Sequence, residues 1–523
     1  MSDNPVNANG AGKTAPSVEV YAVYGAEPEV QAYAMAKYSR SALSMKESLK
    51  EISQQKAEKF LDTFYFQYGH RSIADLAHIA MAVEKLSILA AIAVADEQRW
   101  DGQERSTRYQ DFKKSGYYIP DFGPAGAAQA QLYRETIQGL FAEYEVVSEK
   151  MFVYLASITP KPAEMKQEAY DRTLRARAFD YSRYLLPLSA NTSLGQIVNA
   201  RTLENQVARL LSSTHAEVRH LGSLLKQAAL NPAFDVHRGG MQKLVDEIRA
   251  AAPGLADRAE QELLRPVRVA PTLVKYADPS QYEIQTRTEL RQAAAELIKD
   301  SAIAPAPLVD LLDNEPLEVE LASTLIYPHC HYSYRQVREA VQSVSAARRN
   351  EIVDLGLRHR GKYDELSRAF CAGQQFRFDI LMDIGGFRDM HRHRRCIQIE
   401  QAFTTRHGYD VPEELEAAGA RASYEQVMQR TANAVATISQ SDAVEAEESS
   451  QYAIPLGFRK RTLFKMDFAE AVYISELRSG PAGHFSYRNV AYAMYEEVAK
   501  RYPALAKYFR VTDVRQPVDL LKR

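Results

Sequence analysis

The feature that most constrains the fold is an internal repeat. The segment 184–188 (YLLPL) recurs at 452–456 (YAIPL). In each copy a histidine follows the proline at nearly the same distance, His215 after 28 positions and His484 after 29, and an arginine lies four residues beyond it. Because self-similarity at a long spacing marks a duplicated structural unit, the pattern predicts two related halves, each of about 200 residues, within the usual size of a domain.

The chain has 523 residues, enough for two such halves and a connecting segment. We predict an α+β fold made of two tandem repeats, each a small mixed sheet with several long helices. The predicted divisions are a disordered tail (1–17), an N-terminal repeat (18–250), a linker with a local strand and helix (251–316) and a C-terminal repeat (317–523). The linker assignment depends on the frequent prolines of that segment.

Hydrophobic periodicity predicts the individual elements. Strands are expected at 18–24, at 272–276 and near Leu317. Helices are expected at 30–45, 47–66, 73–94, 131–155, 286–300 and 334–355. The segment 170–230 has an almost wholly helical composition, broken near Pro187 and Gly195.

Composition and charge exclude several classes of protein. Hydrophobic residues make up 46% of the chain and charged residues 25%, which is typical of a soluble globular protein. The formal net charge of −2 argues against a nucleic-acid-binding protein, although the basic stretch 388–395 keeps a nucleic-acid-binding module as an alternative. No apolar run is long enough to span a bilayer, so we expect no membrane contact.

The cysteines indicate a reducing compartment. Cys330, Cys371 and Cys396 are widely spaced and odd in number, which does not suit a disulfide framework. His329 and His331 flank Cys330, but no fourth ligand is evident, so a buried cysteine between two ordinary histidines is favoured over a metal site. We therefore predict a cytoplasmic protein with no bound metal.

The strongest local signal for a ligand is the basic cluster Arg392-His393-Arg394, followed by Glu400. Guanidinium groups give planar, forked donors that stay charged at any working pH, so the cluster suits an anionic or electron-rich ligand. On composition alone, a solvated basic helix end is the simpler interpretation. What favours a functional site is a second, altered copy of the same region in the first half.

These residues resemble the flavin-dependent thymidylate synthases, which are marked by R-H-R and, downstream, by a serine and an arginine. The second half has R-H-R and Glu400, but Ala402 and Thr404 replace the serine and the arginine. The first half has 103–109 (QERSTRY), with Glu104, Ser106 and Arg108, whereas 96–98 (DEQ) replaces R-H-R. Each half therefore lacks what the other keeps.

Further motifs extend the resemblance over about 18–250 and 317–523. Ser182-Arg183, followed by Leu186-Pro187, resembles the family's A-R-x-x-L-P. The residues 199–201 (NAR) with Asn205 resemble its N-A-R-x-x-x-N, and 69–72 (GHRS) resembles its G-H-x-S. Leu477-Arg478 keeps the family's later leucine-arginine pair.

The resemblance implies a role for each matching residue. Ser106 and Arg108 would hold the phosphate of a deoxyuridine nucleotide, Arg183 and Arg478 would bind and polarise the uracil ring, and Glu104 or Glu400 would orient the sugar. We thus expect Arg183, Arg478 and Arg394 to be catalytic. The residues expected at the flavin and folate are His70, Ser72, Asn199, Arg201, Asn205, Arg392, His393 and Arg394.

The family works as a homotetramer whose active sites draw residues from several subunits. The complementary losses therefore predict a composite site, with R-H-R from one half and Ser106, Arg108 and Arg183 from the other. A homodimer of this chain would then imitate the tetramer, with two full sites and two vestigial ones.

The resemblance implies a methyltransferase that converts dUMP to dTMP, with methylenetetrahydrofolate as one-carbon donor and NADPH as reductant through FAD. The alternative is a drifted flavin- or nucleotide-binding paralogue that acts on another pyrimidine or regulates a partner.

Overall fold

The computed structural model describes residues 25–37, 45–51, 59, 71–299, 301–361 and 364–522. The predicted tail (1–17), the strand at 18–24, most of the helix at 47–66 and His70 lie outside these residues. The strands are β1 (His78–Ser87), β2 (Asp101–Glu104), β3 (Asn191–Asn199), β4 (Val309–Leu311), β5 (Phe376–Asp383), β6 (Ile397–Glu400) and β7 (Arg459–Met466). The helices before β4 are α1 (Pro28–Lys37), α2 (Met45–Glu51), α3 (Ile88–Ala95), α4 (Ala127–Ile158), α5 (Gln167–Ser182), α6 (Ala200–Leu211), α7 (Ala216–Leu230), α8 (Arg238–Ala251), α9 (Pro253–Leu263) and α10 (Gln281–Leu297).

The helices after β4 belong to the second half. They are α11 (Leu317–Ile326), α12 (Tyr334–Ser343), α13 (Ala346–Leu355), α14 (Ile384–Met390), α15 (Glu414–Ala417), α16 (Arg421–Ser439), α17 (Ala446–Gln451), α18 (Phe468–Ser479), α19 (Phe485–Arg501) and α20 (Pro503–Ala506). No helix among the described residues is both long enough and apolar enough to cross a membrane.

Each half contains its own antiparallel sheet. The strand order is β1-β3-β2 in the first half and β4-β5-β7-β6 in the second. Strands β5, β7 and β6 thus repeat the arrangement of β1, β3 and β2, and β4 is an added edge strand. The α+β class and the duplication are confirmed. Both sheets are antiparallel rather than mixed, because every pair of neighbouring strands runs in opposite directions.

The two halves join through the repeated motif itself. Pro187 and Pro455 form an antiparallel bridge. Four backbone hydrogen bonds of 2.9 Å accompany it: Leu188 N to Ile454 O, Leu456 N to Leu186 O, Ser189 N to Tyr452 O and Gly457 N to Tyr184 O. Exchanging the halves converts each bond into another member of the set. The halves are therefore related by an approximate twofold axis, like the subunits of a homodimer.

One continuous hydrophobic core extends across this junction. It includes Tyr184 and Leu186 from the first half and Tyr452 and Leu456 from the second, all almost fully buried. The long helix α4 packs against its counterpart α16. A smaller core lies between helices α10 to α13 and the second sheet, where Leu463 is fully buried. The halves therefore share their apolar interior instead of meeting at a polar domain boundary.

The segment 73–94, predicted as one helix, contains strand β1 and helix α3. Along β1 the side chains of Ile79, Met81 and Val83 are buried, and the residues between them are exposed. The alanines of this segment favour a helix, but pairing with β3 and the alternating burial outweigh that preference. Strand β3 itself interrupts 170–230, which we expected to be almost wholly helical.

Two predicted strands are absent from the described residues. The segment 272–276 forms turns that bury Leu273 and Val274, and Leu317 begins helix α11. Pro316 before that helix and Glu318 in its first turn are helix-start signals that outweigh the apolar run. The helices predicted at 131–155, 286–300 and 334–355 are present as α4, α10 and the pair α12–α13. Strand β4 lies within the predicted linker, where it pairs with β5.

Substitution of Gly457 tests the packing at the junction. A Cβ there would lie 2.8 Å from Tyr424 Oη and 3.1 Å from Tyr184 Cβ. We expect Gly457→Ala to lower the free energy of unfolding by about 1–3 kcal/mol, measured by urea denaturation. The control is Gly139→Ala in α4, where a Cβ meets nothing within 4 Å and helix propensity should add up to about 1 kcal/mol. Equal effects of the two variants would contradict the close contact between the halves.

Candidate functional site

The R-H-R cluster lies in the turn between α14 and β6 and contacts the first half. The Arg394 guanidinium carbon lies 4.5 Å from the centre of the Trp100 ring, close enough for a cation–π interaction. Arg394 Nη2 is 3.4 Å from the carbonyl oxygen of Ala95. The cluster from one half is thus positioned by an aromatic side chain from the other.

Arg108 extends in the opposite direction, from the first half into the second. Its Nε donates to Asp180 Oδ1 at 2.7 Å, and its Nη1 donates to Tyr487 Oη at 2.8 Å. Its Nη2 lies 3.2 Å from the carbonyl oxygen of Ala482. In the stretch QERSTRY, Ser106 Oγ accepts a hydrogen bond from the Arg108 backbone N–H at 3.2 Å. The arginine of this stretch therefore bridges the two halves.

The charges of four arginines act on one carboxylate, that of Asp389 in α14. Arg183 Nη1 lies 3.3 Å from Asp389 Oδ2. Burial raises the pKa of Asp389, but Arg183, Arg108, Arg478 and Arg392 outweigh burial and hold that pKa below its ordinary value. Two of these arginines come from each half, so charges from both halves act on the same carboxylate.

Asp389 is a residue that the sequence analysis missed. It lies three positions before Arg392, close to one helical turn, so a search for polar groups one turn from the R-H-R cluster could have found it. Trp100 and Tyr487 were also missed. No local signal points to either of them, because each contacts its arginine across the boundary between the halves.

Arg183 has unused hydrogen-bonding capacity. It follows α5, its side chain is 2% exposed, and its Nε and Nη2 have no partner among the described residues. A buried donor without a partner costs about 1–3 kcal/mol, and such groups are expected at functional sites rather than in a structural core. Gly385 makes room for this side chain, since a Cβ there would lie 3.3 Å from Arg183 Nε.

His393 is buried, with a hydrogen bond on one side of its ring and a carboxylate on the other. Arg478 Nε donates to His393 Nε2 at 2.7 Å, and His393 Nδ1 lies 3.6 Å from Glu470 Oε1. Burial lowers the pKa of His393, and Arg478 and Arg394 add to that effect, against the opposing influence of Glu470. A neutral ring with its proton on Nδ1 satisfies both contacts, so His393 orients Arg478.

The equivalent position in the first half carries the opposite charge. Glu97 replaces His393 there, and Arg209 Nε donates to Glu97 Oε1 at 3.0 Å, which repeats the contact between Arg478 and His393. Asp96 replaces Arg392 and pairs with Arg368. Both halves therefore keep a contact from an arginine Nε at this position, but its partner is a neutral histidine in the second half and a glutamate in the first.

The larger cavity lies on this acidic side. Both halves line it, its volume is about 1160 Å³, and Asp96, Glu97 and Glu400 form part of its wall. The cavity beside Arg392 and Arg394 measures about 20 Å³, room for no more than a water molecule. The space for a large ligand and the arginine cluster are therefore neighbouring but distinct parts of the molecule.

The residues predicted to hold the flavin divide between these two places. Arg201 and Asn205 line the large cavity, where Arg201 pairs with Glu365 at 2.9 Å. Asn199 caps helix α6 by accepting the Thr202 N–H at 2.8 Å. Ser72 is exposed in the short helix before β1. Arg392, His393 and Arg394 belong to the arginine cluster. The predicted flavin residues therefore do not all line one site within a single chain.

Glu104 and Glu400, the two retained glutamates, pair with cations of the second half. Glu104 pairs with Arg388 across the boundary. Glu400 Oε2 lies 2.8 Å from Lys460 Nζ, and Glu400 Oε1 lies 3.2 Å from His391 Nε2. Both glutamates are therefore held in ion pairs beside the site.

His391 lines the small cavity and contacts two carboxylates, Asp96 and Glu400, of the large one. Its Nε2 lies 3.4 Å from Asp96 Oδ1 as well as close to Glu400. Burial lowers the pKa of His391, but the two carboxylates outweigh burial and raise it to about 9. The donor atoms of these three side chains lie within 4.8 Å of one another, as metal ligands could. A protonated imidazole offers no lone pair, however, and Arg368 and Lys460 already neutralise the carboxylates, so the group is an ion-pair network.

Comparison with known proteins identifies the family. The family model described as thymidylate synthase complementing protein matches this chain twice, at residues 22–229 and 322–504. The chain belongs to that family. The two matches also confirm the resemblance and the duplication that the sequence motifs predicted.

Relatives of this family member include proteins that match it over nearly their whole length. A UPF0159 protein of Chlamydia pneumoniae is 27% identical over 521 residues, covering 95% of this chain and 92% of that protein. A flavin-dependent thymidylate synthase of Clostridium tetani is 24% identical over 202 residues, covering 38% of this chain and 77% of that protein. A crystal structure of the flavin-dependent thymidylate synthase of Helicobacter pylori with FAD and dUMP covers 39% of this chain and 89% of that chain, at 16% identity and a TM-score of 0.24.

The ion pairs of His391 predict a pH dependence of stability. Because the pKa of His391 rises from 6.5 to about 9, its stabilising effect is complete below pH 6.5 and is lost as the pH rises through 9. Burial raises the pKa of Glu400, but Lys460 and His391 lower it from 4.5 to about 2, so its stabilising effect is lost as the pH falls from 4.5 towards 2. Urea denaturation of His391→Gln should show a loss on the order of 3 kcal/mol at pH 6 that vanishes near pH 10.

The control for this prediction is His237→Gln, at an exposed position. It should leave the curve of stability against pH unchanged. An equal loss for His391→Gln at pH 6 and pH 10 would contradict the charged bridge.

Proposed function

We propose that the protein is a flavin-dependent thymidylate-synthase-type methyltransferase with one composite nucleotide site in each chain. It converts dUMP to dTMP, with methylenetetrahydrofolate as the one-carbon donor and NADPH as the reductant through FAD. The observation that carries the proposal is the meeting of arginines from both halves. The guanidinium carbons of Arg108 and Arg478 lie 5.6 Å and 5.5 Å from the centre of the Tyr487 ring, and Arg183 Nη1 lies 3.3 Å from Asp389 Oδ2.

The arginine cluster offers donors for both ends of a pyrimidine nucleotide, and binding one there requires the 20 Å³ cavity beside Arg392 and Arg394 to widen. Forked guanidinium donors match the oxygens of a phosphate, which we assign to Arg108 and Ser106. The unpartnered donors of Arg183 suit a ring carbonyl. Positive charge held at that carbonyl stabilises negative charge on the ring as C5 attacks the carbon donor. Arg478, oriented by His393, supplies the second such charge.

The residues of the large cavity fit a flavin dinucleotide in size and hydrogen bonding. Its volume of about 1160 Å³ is ample for a cofactor-sized ligand. Thr286 Oγ1 and Gln398 Oε1 are buried in its wall without a partner among the described residues. Arg201 and Asn205 would hold the cofactor from helix α6. Bound there, FAD supplies the electron transfer from NADPH that reduces the methylene carbon to a methyl group.

We further propose that two chains form a homodimer, which contains four copies of the family's repeat. The division of the expected flavin residues between the arginine cluster and the large cavity supports this assembly, because a second chain can bring the cavity of one copy beside the cluster of the other. The protein would remain in the cytoplasm, where its nucleotide and folate substrates occur.

A second candidate function is a nucleotide-binding paralogue that acts on another pyrimidine or regulates a partner. Asp96 and Glu97 favour this candidate, because they line the large cavity at the positions where the second half keeps Arg392 and His393, and so the R-H-R cations are missing from that wall. The two candidates differ in whether the protein binds FAD.

Flavin content and tritium release distinguish the candidates. The first predicts a yellow protein, as purified or after reconstitution with FAD, that releases tritium from C5-labelled dUMP when methylenetetrahydrofolate and NADPH are present. A colourless protein that cannot be reconstituted but still binds dUMP would favour the second. A protein that binds neither ligand would exclude both.

Two adjacent arginines provide a matched test of the R-H-R cluster. Arg394→Ala removes the guanidinium that stacks on Trp100, and we expect turnover to fall by about 100-fold, as for other preorganised charges at a reacting centre. Arg395→Ala removes an exposed arginine paired with Asp467, and turnover should stay close to the unmodified value. Tritium release measures both, and equal rates for the two variants would contradict a role for Arg394.

A further inference from the structure

We propose that helix α10, in the segment between the two repeats, supplies Arg287 to bind the diphosphate of a flavin dinucleotide in the large cavity. The proposal rests on the flavin site assigned above and adds a residue from outside the repeats. The family model matches residues 22–229 and 322–504, whereas α10 spans Gln281–Leu297. The segment that connects the repeats would therefore complete the cofactor site with an element that the family's repeat does not contain.

One face of α10 lines the large cavity. Glu283, Thr286, Arg287 and Leu290 lie three, four and seven positions apart, which places them on the same side of a helix, and all four belong to the cavity wall. Thr286 is 9% exposed, and its Oγ1 has no partner among the described residues. A buried hydroxyl without a partner is expected where a ligand supplies the missing hydrogen bond.

The face of α10 is fixed against helix α6, which carries Arg201 and Asn205 of the flavin site. Arg287 Nη2 donates to the carbonyl oxygen of Ser212, the residue that ends α6, and Ser280 N donates to Ser212 Oγ at 2.7 Å. At 1.5 Å per residue, Arg201 and Ser212 lie about 16 Å apart along the helix. Arg201 and Arg287 can therefore contact different parts of an extended ligand, such as a dinucleotide.

Arg287 is the arginine of the cavity wall whose charge is available to a ligand. Five arginines line the cavity, and four of them, Arg99, Arg201, Arg209 and Arg368, each pair with a carboxylate. Arg287 forms no ion pair with any residue that the structure describes. Guanidinium donors match the oxygens of a phosphate, so an anionic group of the ligand is the expected partner.

The nearest acidic residue on the same helix leaves this charge in place. Glu283 lies one turn before Arg287 but forms no ion pair with it among the described residues. Burial raises the pKa of Glu283 against the opposing effects of Arg209 and Arg287, which favours its neutral form. Burial also lowers the pKa of Arg287, and the carboxylates around it do not offset that effect. An anion bound at Arg287 would compensate a charge that the protein leaves incompletely paired.

Fluorescence titration of the full chain with FAD and riboflavin tests the proposal, because riboflavin has the flavin ring without a phosphate. Arg287→Ala should weaken the binding of FAD by about tenfold to 100-fold and leave the affinity for riboflavin unchanged. Arg287→Lys keeps the positive charge and should bind FAD more tightly than Arg287→Ala.

The matched control is Arg291→Ala, one turn further along α10. Arg291 is 51% exposed, lies 3.9 Å from Glu447 and does not line the cavity, so its loss should leave the affinity for FAD unchanged.

Three results would overturn the proposal and leave the flavin site standing. They are an unchanged affinity for FAD in Arg287→Ala, an equal weakening of FAD and riboflavin in that variant, and binding of FAD by Arg287→Lys that is no tighter than by Arg287→Ala. An unmodified protein that binds neither FAD nor riboflavin would overturn the proposed function as well.

Discussion

The reciprocal backbone pairing around Pro187 and Pro455 is the contact on which the rest of the structure depends. It joins two copies of one structural unit through the motif that both retain. Arg183 immediately precedes the first copy of this motif, so the pairing that closes the junction also carries that guanidinium to helix α14 of the other half. A contact that maintains the fold therefore also assembles the candidate site.

The pseudo-symmetric scaffold supports two positions of opposite charge. At one position Arg478 Nε contacts His393, and at the other Arg209 Nε contacts Glu97. Buried charges are tolerated only when they are paired, and Asp389 supplies the pairing charge at the basic position. Because both copies reside in one chain, each could change without altering the other. A symmetric homodimer does not have that freedom, since each substitution there appears in every subunit.

The sequence predicted the duplication and the arginines of the candidate site better than it predicted the sheets. The helices α4 and α10 followed from periodicity, but β1 did not, because its alanines favour a helix until pairing with β3 is considered. The complementary loss of motifs indicated that Arg108 and Arg392 belong together. Trp100 and Tyr487 could not be assigned in this way, because their importance arises from contacts between segments that are hundreds of residues apart in the chain.

The number of nucleotides bound per chain tests the shared site most directly. Calorimetric titration of the purified protein with dUMP should give one site per chain, because the two halves together contain one complete arginine cluster. Arg183→Ala in the first half and Arg478→Ala in the second should each abolish that site. Two sites per chain, or binding that survives the loss of either arginine, would contradict the account.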